Sequence, residues 1–300
     1  MVLLERLLVR TSRTFALAIP LLPSPPRREV TAAYLLFRIA DTFEDATRWP
    51  RSARLEALAA FARLLEEPSE GEAVRLSRAW VKERPCDDEG YLELLGETPA
   101  VIAELMSFTP ARRELVVRHT LRTAAGMADF VAGGGEDGTL ALTTEEDLKR
   151  YCYVVAGIVG ELLTDLFLDA DPKLAKVESR LRARDAAFGE GLQLVNILKD
   201  SDSDARDGRV YLGTAVGRAR ALGMARQDLI AAGEYVEALQ SAGAPRGIVA
   251  FTAFPVLLAR AALGELERRG AGAKTSRGVV AGILAKMSSA LDRGAPALFD

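Results

Sequence analysis

Three acidic side chains are clustered at the end of a long apolar segment. Asp41 and Asp45 are four residues apart, and Glu44 is three residues after Asp41. In a helix these spacings place the three carboxylates on roughly one face, where like charges repel unless a cation lies between them. The cluster therefore predicts a metal site, whereas the alternative is a helix end whose charges are screened by water.

A second polar set occurs much later in the chain. Gln193, Asn196, Asp200 and Asp204 follow one another at spacings of three, four and four, so they form one stripe if residues 188–204 are helical. The rest of that helix surface is apolar, with Leu192, Leu194, Val195, Ile197 and Leu198. A polar stripe on a buried helix needs partners. We therefore expect two carboxylate-bearing helices to face each other across a cavity.

The donor types indicate which ligand these sites prefer. Carboxylates without histidine or thiol partners favour a hard cation, Mg2+ or Mn2+, which is commonly bound together with substrate phosphates. Basic residues flank both motifs at Arg13, Arg38, Lys199 and Arg209. Arginine suits bidentate phosphate contacts, and lysine supplies a point charge. The pattern predicts a diphosphate substrate, although each basic residue alone also has the ordinary interpretation of a solvated surface charge.

The composition is that of a protein able to bury a large core. Of 300 residues, 49% are hydrophobic and 27% are charged, and no Pro/Ser/Gly linker separates independent units, so one domain is expected over residues 1–300. The net charge of -3, with basic and acidic residues interleaved, gives no reason to expect nucleic-acid binding. Cys86 and Cys152 form neither a disulfide framework nor a zinc site, which predicts a reducing cytoplasm.

Membrane contact is limited by the distribution of charge. No segment contains the roughly 18 uncharged apolar residues of a membrane span, and the most apolar window, residues 154–168, contains Glu161 and Asp165. Peripheral contact stays open, because an enzyme with apolar substrates can work at a bilayer surface without spanning it. The single histidine, His119, lies on a predicted amphipathic helix and is assigned no role.

Apolar residues recur with a period near that of a helix along most of the chain, and no segment alternates as a strand does, so the predicted class is all-α. Thr143 and Glu146 form a capping-box pattern that opens one helix, and glycines 133–135 end another. Two short helices are expected on either side of Pro99. Residues 2–9 are expected to form a short amphipathic turn or helix, and residues 15–22 form an apolar segment. Helices are expected at residues 26–46, 52–67, 112–130, 188–204, 227–242, 245–269 and 274–291, with a weaker pattern at residues 69–82. The helix that the capping box opens is expected to carry residues 151–168.

Several blocks of the sequence resemble the signature motifs of the squalene/phytoene synthase family of head-to-head isoprenyl diphosphate synthases. They are residues 12–15, residues 34–45, residues 151–160, residues 193–200 with Asp204, and residues 208–211, and they stand in the family's order. The Asp-Thr-x-Glu-Asp form of the first motif is similar to the squalene synthase branch. Residues 254–259 and 274–278 also resemble that branch, the latter in part.

The resemblance implies an α-helical isoprenoid synthase bundle around a central active-site cavity, with roles for individual residues. The implied metal set is Asp41, Glu44, Asp45, Asn196, Asp200 and Asp204. The implied substrate contacts are Ser12, Arg13, Thr14, Tyr34, Arg38, Gln193, Lys199, Arg209 and Tyr211. Tyr151 matches a tyrosine near the diphosphate that assists proton removal, and a buried structural hydrogen bond is the alternative.

The implied reaction is a two-step coupling of two farnesyl diphosphates. Metal-assisted loss of diphosphate from one molecule gives an allylic cation that alkylates the other, and presqualene diphosphate forms. That intermediate ionises and rearranges, and the final cation is quenched by hydride from NADPH to give squalene or loses a proton in the phytoene-type branch. Asn196, Lys274 and Arg277 are the implied cofactor contacts, but Ser276 stands where NADPH-using members tend to carry a basic residue. Squalene, dehydrosqualene or phytoene, and presqualene diphosphate therefore all stay open as products.

The cations of this reaction would alkylate water, so the pocket must exclude it. Candidates for the pocket wall, which as apolar helix residues are also candidates for plain core, are Phe37, Val155, Ala156, Gly157, Leu162 and Leu194. Glycine weakens a helix, so Gly157 and Gly160 predict close approach by a substrate chain or by a neighbouring helix.

Location and partners follow from the same resemblance. The membrane anchor of eukaryotic squalene synthases is not expected, because the sequence ends at Asp300. The expected protein is cytoplasmic, binds farnesyl diphosphate, contacts a membrane only peripherally and passes its product to downstream terpenoid enzymes.

Overall fold

The computed structural model describes residues 2–135, 140–206, 209–212, 216–273 and 275–299, with side chains described except at residues 140, 141, 202–206, 209 and 210. Two strands of two residues each, β1 (Leu140–Ala141) and β2 (Arg209–Val210), form a small sheet. The helices are α1 (Val2–Thr11), α2 (Phe15–Ala18), α3 (Pro26–Glu44), α4 (Arg51–Glu66), α5 (Glu70–Glu83), α6 (Glu89–Gly96), α7 (Thr98–Met106), α8 (Pro110–Gly133), α9 (Glu145–Cys152), α10 (Ile158–Ala170), α11 (Glu178–Arg182), α12 (Asp185–Arg206), α13 (Arg218–Ser241), α14 (Arg246–Arg269) and α15 (Arg277–Asp292). The all-α prediction is confirmed.

Two helix starts differ from the prediction. The capping box lies one residue later than expected: the Thr144 hydroxyl accepts the Asp147 amide at 3.0 Å, and the Asp147 carboxylate accepts the Thr144 amide at 2.9 Å. Asp147 thus takes the role that was predicted for Glu146, since an aspartate side chain is long enough to reach back to the amide of the capping residue. Helix α13 begins at Arg218 rather than at residue 227, so the helix is nine residues longer at its start than predicted.

Contacts divide the chain into two compact units. Unit 1 comprises Met1–Ala16 and Arg27–Leu140, and unit 2 comprises Leu17–Pro26 and Ala141–Asp300. The first acidic cluster belongs to unit 1, and the second polar stripe belongs to unit 2. A single domain over residues 1–300 and a central cavity both stay predictions.

In unit 1, an aromatic cluster fixes the end of α3 that carries the acidic residues. Phe43 is fully buried, and its ring centroid lies 4.7 Å from that of Trp80, 6.3 Å from that of Trp49 and 6.4 Å from that of Phe61. Truncating a buried phenylalanine to alanine lowers the free energy of unfolding by about 3–5 kcal/mol. Because Phe43 is anchored, the helix cannot rotate, and the carboxylates on its other faces are held in a defined direction.

In unit 2, α12 packs against α10, α13 and α14. Helices α9 and α10 are joined by a π-helical turn, Tyr153–Gly157, into one continuous helix, Glu145–Ala170. A Cβ added to Gly160 would lie 1.8 Å from the Asp185 carbonyl oxygen, and one added to Gly189 would lie 1.9 Å from the Ala156 carbonyl oxygen. The close approach predicted from the glycines is therefore made by a neighbouring helix.

Gly160→Ala is expected to lower the free energy of unfolding by about 1–3 kcal/mol, because the added methyl group forces the two helices apart. Gly264→Ala in α14 is the matched control, since no described atom lies within 4 Å of its added Cβ. That control is expected to gain up to about 1 kcal/mol from helix propensity. Chemical denaturation of both variants measures the difference, and equal stabilities would contradict the helix crossing.

Two helices, Glu145–Ala170 and Arg246–Arg269, are long and apolar enough to cross a membrane by length and composition. About two thirds of each apolar window is buried inside the fold, at 61% and 67% respectively. Core helices of globular proteins pass the same test. Both helices contain charged residues, Glu161 and Asp165 in the first and Arg260 in the second, so neither is the uncharged segment of a typical membrane span.

Candidate active site

The end of α3 separates the three acidic residues of the first motif. Asp41 and Asp45 are partly exposed, whereas Glu44 is only 4% exposed. A residue three positions on is rotated about 60° to one side of Asp41 and a residue four positions on about 40° to the other, so the core reaches Glu44 alone. The buried Arg54 donates a hydrogen bond to the Glu44 carbonyl. The shared face therefore comprises only the two aspartates, and the metal-ligand role of Glu44 stays a prediction.

Arg38 is in contact with this motif. Its Nη1 lies 3.0 Å from Oδ2 of Asp41, and its guanidinium lies over the rings of Tyr34 and Tyr91 at 5.8 and 5.5 Å from their centroids. Burial opposes its charge, but Asp41 and the two tyrosines outweigh burial and raise the pKa of Arg38 above its ordinary value. The sequence predicted no role for Tyr91, because this residue lies on α6 and in none of the motifs.

The N-terminal block lies against the same helix. The Ser12 hydroxyl accepts the Phe15 amide at 2.9 Å and so opens α2. The Tyr34 hydroxyl donates to the Thr11 carbonyl at 2.9 Å, and the Phe15 and Tyr34 ring centroids are 5.5 Å apart. Arg13 and Thr14 are exposed. The residues on either side of this block, Thr11 and Phe15, thus lie against Tyr34, one helical turn before Arg38.

In unit 2, two tyrosines from separate motifs meet. The hydroxyl oxygens of Tyr151 and Tyr211 are 3.2 Å apart, their ring centroids are 5.1 Å apart, and both residues are buried. Tyr151 lies two residues before the π-helical turn, a helix defect that is frequent at functional sites. The structure therefore joins the predicted catalytic tyrosine to a predicted substrate contact.

The second polar stripe is held together by a lysine. Lys199 Nζ donates to the Asn196 side-chain oxygen at 3.2 Å and lies 3.1 Å from Oδ2 of Asp200. Asn196 is exposed, Gln193, Lys199 and Asp200 are partly exposed, and the apolar side of α12 is buried except for the partly exposed Leu192. The side chains of Asp204 and Arg209, and the whole of Lys274, lie outside the described residues.

Two further features near this stripe were not predicted. Arg218 Nη1 donates to the Leu198 carbonyl at 3.0 Å, and its Nη2 is buried without a hydrogen-bond partner among the described residues. The Gly272 amide donates to the Lys199 carbonyl at 3.1 Å, which places the segment leading to Arg277 beside the stripe. No motif marks Arg218, because it acquires its position from the unpredicted start of α13.

A cluster of carboxyl groups lies beside the π-helical turn, where Glu190 Oε1 is 3.0 Å from the position of a Cβ on Gly157. Burial, followed by the negative charges of Asp228 and Glu161, raises the pKa of Glu190 to about 7, and Lys149 counteracts them. Burial also raises the pKa of Asp228 to about 6. Glu161 accepts the Tyr153 hydroxyl at 2.9 Å. The raised pKa values of Glu190 and Asp228 mean that these two carboxyl groups hold their protons to a higher pH than an ordinary carboxyl group.

The stability of the protein is expected to fall as the pH rises from about 5 to about 7. The pKa of Glu190 is raised from 4.5 to about 7, so this carboxyl group binds its proton more tightly in the folded chain than in the unfolded chain. The free energy of unfolding that this tighter binding contributes is present below the unfolded pKa and is lost as the pH rises through the folded pKa. Glu190→Gln is expected to flatten this slope. Glu237→Gln, on the exposed face of α13, is the control. Melting temperatures across this range test the prediction, and an unchanged slope in Glu190→Gln would refute it.

The donors of the two motifs suit a hard divalent cation. Asp41, Asp45 and Asp200 offer partly exposed carboxylate oxygens, as Mg2+ requires when it retains water and binds phosphate oxygens. Within the described part of the chain, no three His, Cys, Asp or Glu side chains are grouped as metal ligands. The residue types therefore fit Mg2+ or Mn2+.

Comparison with known sequences identifies the family. The squalene/phytoene synthase profile matches residues 8–221. Squalene synthase from Schizosaccharomyces pombe is 32% identical over 209 residues, covering 69% of this chain and 42% of that protein. Squalene synthase from Gibberella zeae is 32% identical over 207 residues, covering 68% of this chain and 41% of that protein. The matched part thus spans about two fifths of the length of these curated relatives, with 42% and 41% covered.

Solved structures share the fold over nearly the whole chain. One ligand complex of TcSQS superposes with a TM-score of 0.74 at 25% identity and covers 97% of this chain and 87% of that chain. A second complex superposes with a TM-score of 0.73 at 24% identity. The fold is therefore that of the TcSQS structures. With its motifs in the matched region, this chain belongs to the squalene/phytoene synthase family.

Proposed function

We propose that this protein is a prenyltransferase that couples two molecules of farnesyl diphosphate head to head (1'-1) to presqualene diphosphate and converts that intermediate to squalene with NADPH. One observation carries the proposal: the leading aspartate of each motif is in contact with a cation. Arg38 lies 3.0 Å from Asp41, and Lys199 lies 3.1 Å from Asp200. Carboxylates for a divalent cation and cations for phosphate oxygens therefore stand side by side in both units.

Asp41 and Asp45 in unit 1 and Asp200 and Asp204 in unit 2 would hold Mg2+ or Mn2+, which would supply Lewis-acid stabilisation to a departing diphosphate. The protein's own residues bind and orient the substrates. Arg38, with Ser12, Arg13, Thr14 and Tyr34, contacts one diphosphate, and Lys199, with Gln193, Arg209 and Tyr211, contacts the other. Glu44 and Asn196 complete the proposed metal set.

Tyr151 is the proposed proton acceptor of the first coupling step. Its hydroxyl is buried and lies 3.2 Å from that of Tyr211. A proton leaving the substrate can therefore be relayed along the two hydroxyls, and the diphosphate released in the same step is the base that takes it up. The buried surroundings exclude water, which would otherwise trap the cation. Partly exposed apolar residues beside them, Val155 and Ala156, supply wall surface for the prenyl chains.

The fate of the second cation depends on the cofactor. The contact between the Gly272 amide and the Lys199 carbonyl supports a nicotinamide site formed by Asn196, Lys274 and Arg277, since it draws their segments together. Ser276 caps α15 by accepting the Val279 amide, so this position has a capping residue instead of the basic residue that could contact a phosphate of NADPH. That cap favours the second candidate, a dehydrosqualene- or phytoene-type synthase that loses a proton and needs no NADPH.

Product analysis separates these outcomes. The protein is incubated with farnesyl or geranylgeranyl diphosphate, with and without Mg2+ and NADPH, and the lipid extract is analysed. Squalene formed only with NADPH is the expected result. Dehydrosqualene or phytoene regardless of NADPH would establish the second candidate, and presqualene diphosphate alone would mean a half-reaction enzyme. No release of diphosphate with or without Mg2+ would refute prenyl transfer.

The proposal also covers location. The protein works in the cytoplasm, peripheral to a membrane that takes up the apolar product, and downstream terpenoid enzymes consume it. The two apolar helices support contact with lipid only by composition, because most of each is buried. Sedimentation with lipid vesicles tests the contact, and a protein that stays in the supernatant would contradict it.

A further inference from the structure

A tyrosine outside the recognised motifs lies against the proposed diphosphate-binding arginine. Tyr91 is at the start of α6, and its ring centroid is 5.5 Å from the guanidinium carbon of Arg38. The Tyr34 centroid is 5.8 Å from the same carbon. Arg38 thus has aromatic neighbours from two different helices. Attraction between a guanidinium and aromatic faces stabilises its position.

The local structure of α6 explains why Tyr91 reaches Arg38. The Asp88 carboxylate caps the helix, accepting the Gly90 amide at 2.8 Å and the Tyr91 amide at 3.1 Å. A Cβ on Gly90 would lie 2.7 Å from the Arg10 carbonyl oxygen, so glycine permits the close approach of α6 to α1. The cap and the glycine together fix the first turn of α6, and with it the direction of Tyr91.

The polar contacts of Arg38 do not by themselves account for how its guanidinium is held. Its Nη1 pairs with Asp41 at 3.0 Å, while its Nε is buried and has no hydrogen-bond partner within the described residues. A carboxylate or carbonyl that held the guanidinium would use up its N–H donors, whereas an aromatic face attracts the charge without using any of them. Ring contacts therefore hold Arg38 in place and keep donors for a phosphate.

We propose that Tyr91 is a positioning residue that holds Arg38 for diphosphate binding through the face of its ring and not through its hydroxyl. The inference rests on the proposed function for the role of Arg38, and it adds a residue that no motif contains. It requires that an aromatic residue at this position be sufficient, and that an aliphatic residue of similar size be insufficient.

The test compares Tyr91→Phe with Tyr91→Leu in the full chain. Binding of inorganic diphosphate, measured by calorimetry, and the KM for farnesyl diphosphate are the two readouts. The phenylalanine variant is expected to match the wild type within about twofold, and the leucine variant to weaken diphosphate binding and raise KM by about tenfold, with kcat changed less. Phe299→Leu is the control, because it removes a cation–π contact with Lys286 in unit 2, at 3.8 Å.

The outcomes are distinct. Unchanged diphosphate binding in Tyr91→Leu, or an equal loss in Tyr91→Phe, would overturn the proposal, as would a wild type that does not bind diphosphate. A leucine variant that fails to melt cooperatively is replaced by Tyr91→Met, which also lacks a ring. Diphosphate binding that depends on the ring, in a protein that does not consume farnesyl diphosphate, would support the positioning role and refute the proposed function.

Discussion

Asp41→Asn is expected to lower the turnover of farnesyl diphosphate by about a thousandfold or more, a loss of about 4 kcal/mol of transition-state stabilisation. The substitution keeps the size of the side chain but removes the charge that holds a divalent cation and pairs with Arg38 at 3.0 Å. Because Asp41 is partly exposed and carries like charge with Asp45, its neutralisation need not destabilise the fold. Asp200→Asn in the second motif is expected to act in the same way.

Loss of an ion pair alone does not account for such an effect. Asp87 pairs with Arg48 on the surface of unit 1, so Asp87→Asn removes a carboxylate from an arginine outside the site. Exposed pairs of this kind contribute at most about 1 kcal/mol, and full turnover is expected. Steady-state kinetics and melting temperatures of the three variants give the comparison. Turnover near that of the wild type in Asp41→Asn or Asp200→Asn would contradict the assignment of the motifs.

Tyr151→Phe is expected to lower kcat by about a hundredfold or more, in the range of a lost general acid–base group. The variant removes one hydroxyl from the buried pair with Tyr211, whose oxygens are 3.2 Å apart. If Tyr151 had only a structural hydrogen bond, the same substitution would cost about 1 kcal/mol of stability and leave the chemistry unchanged. The relation between kcat and stability therefore decides between the two roles.

The chain offers a matched control for this experiment. Tyr235 is fully buried in unit 2, and its hydroxyl lies 2.9 Å from that of Thr164. Tyr235→Phe is expected to lose comparable stability with unchanged kcat. Rapid-quench measurement of presqualene diphosphate formation isolates the first step. A first step equally fast in Tyr151→Phe and Tyr235→Phe would make Tyr151 a structural residue.

Much of the local structure was predictable because it depends on neighbours in the sequence. Prolines 25 and 26 mark the start of α3, and the predicted end at residue 46 is close to the observed end at Glu44. The buried, apolar side of α12 follows from helical periodicity for all its predicted residues except Leu192, which is partly exposed. An error occurred where local signals compete. Two successive threonines, Thr143 and Thr144, each have an acidic residue three positions later, so the sequence permits either capping box, and the structure has the later one.

Interactions between distant segments were not predictable. Nothing in residues 88–91 marks Tyr91 as a neighbour of Arg38, since the contact requires the cap at Asp88 and the close approach at Gly90. The raised pKa of Glu190 likewise arises from burial and from charges on other helices. The π-helical turn has no sequence signature, and its glycine contacts identify a packing helix rather than a substrate chain.

The sequence by itself determined the helices, the two acidic motifs at their ends and the resemblance to the squalene/phytoene synthase family, because spacing along a helix and the order of motifs are properties of the chain. Only the tertiary structure decided which side chains meet. It buried Glu44 and left Asp41 and Asp45 partly exposed, paired Tyr151 with Tyr211, and laid Tyr91 over Arg38. The physical reason is that burial and contact depend on elements far apart in sequence, whose packing no local pattern specifies.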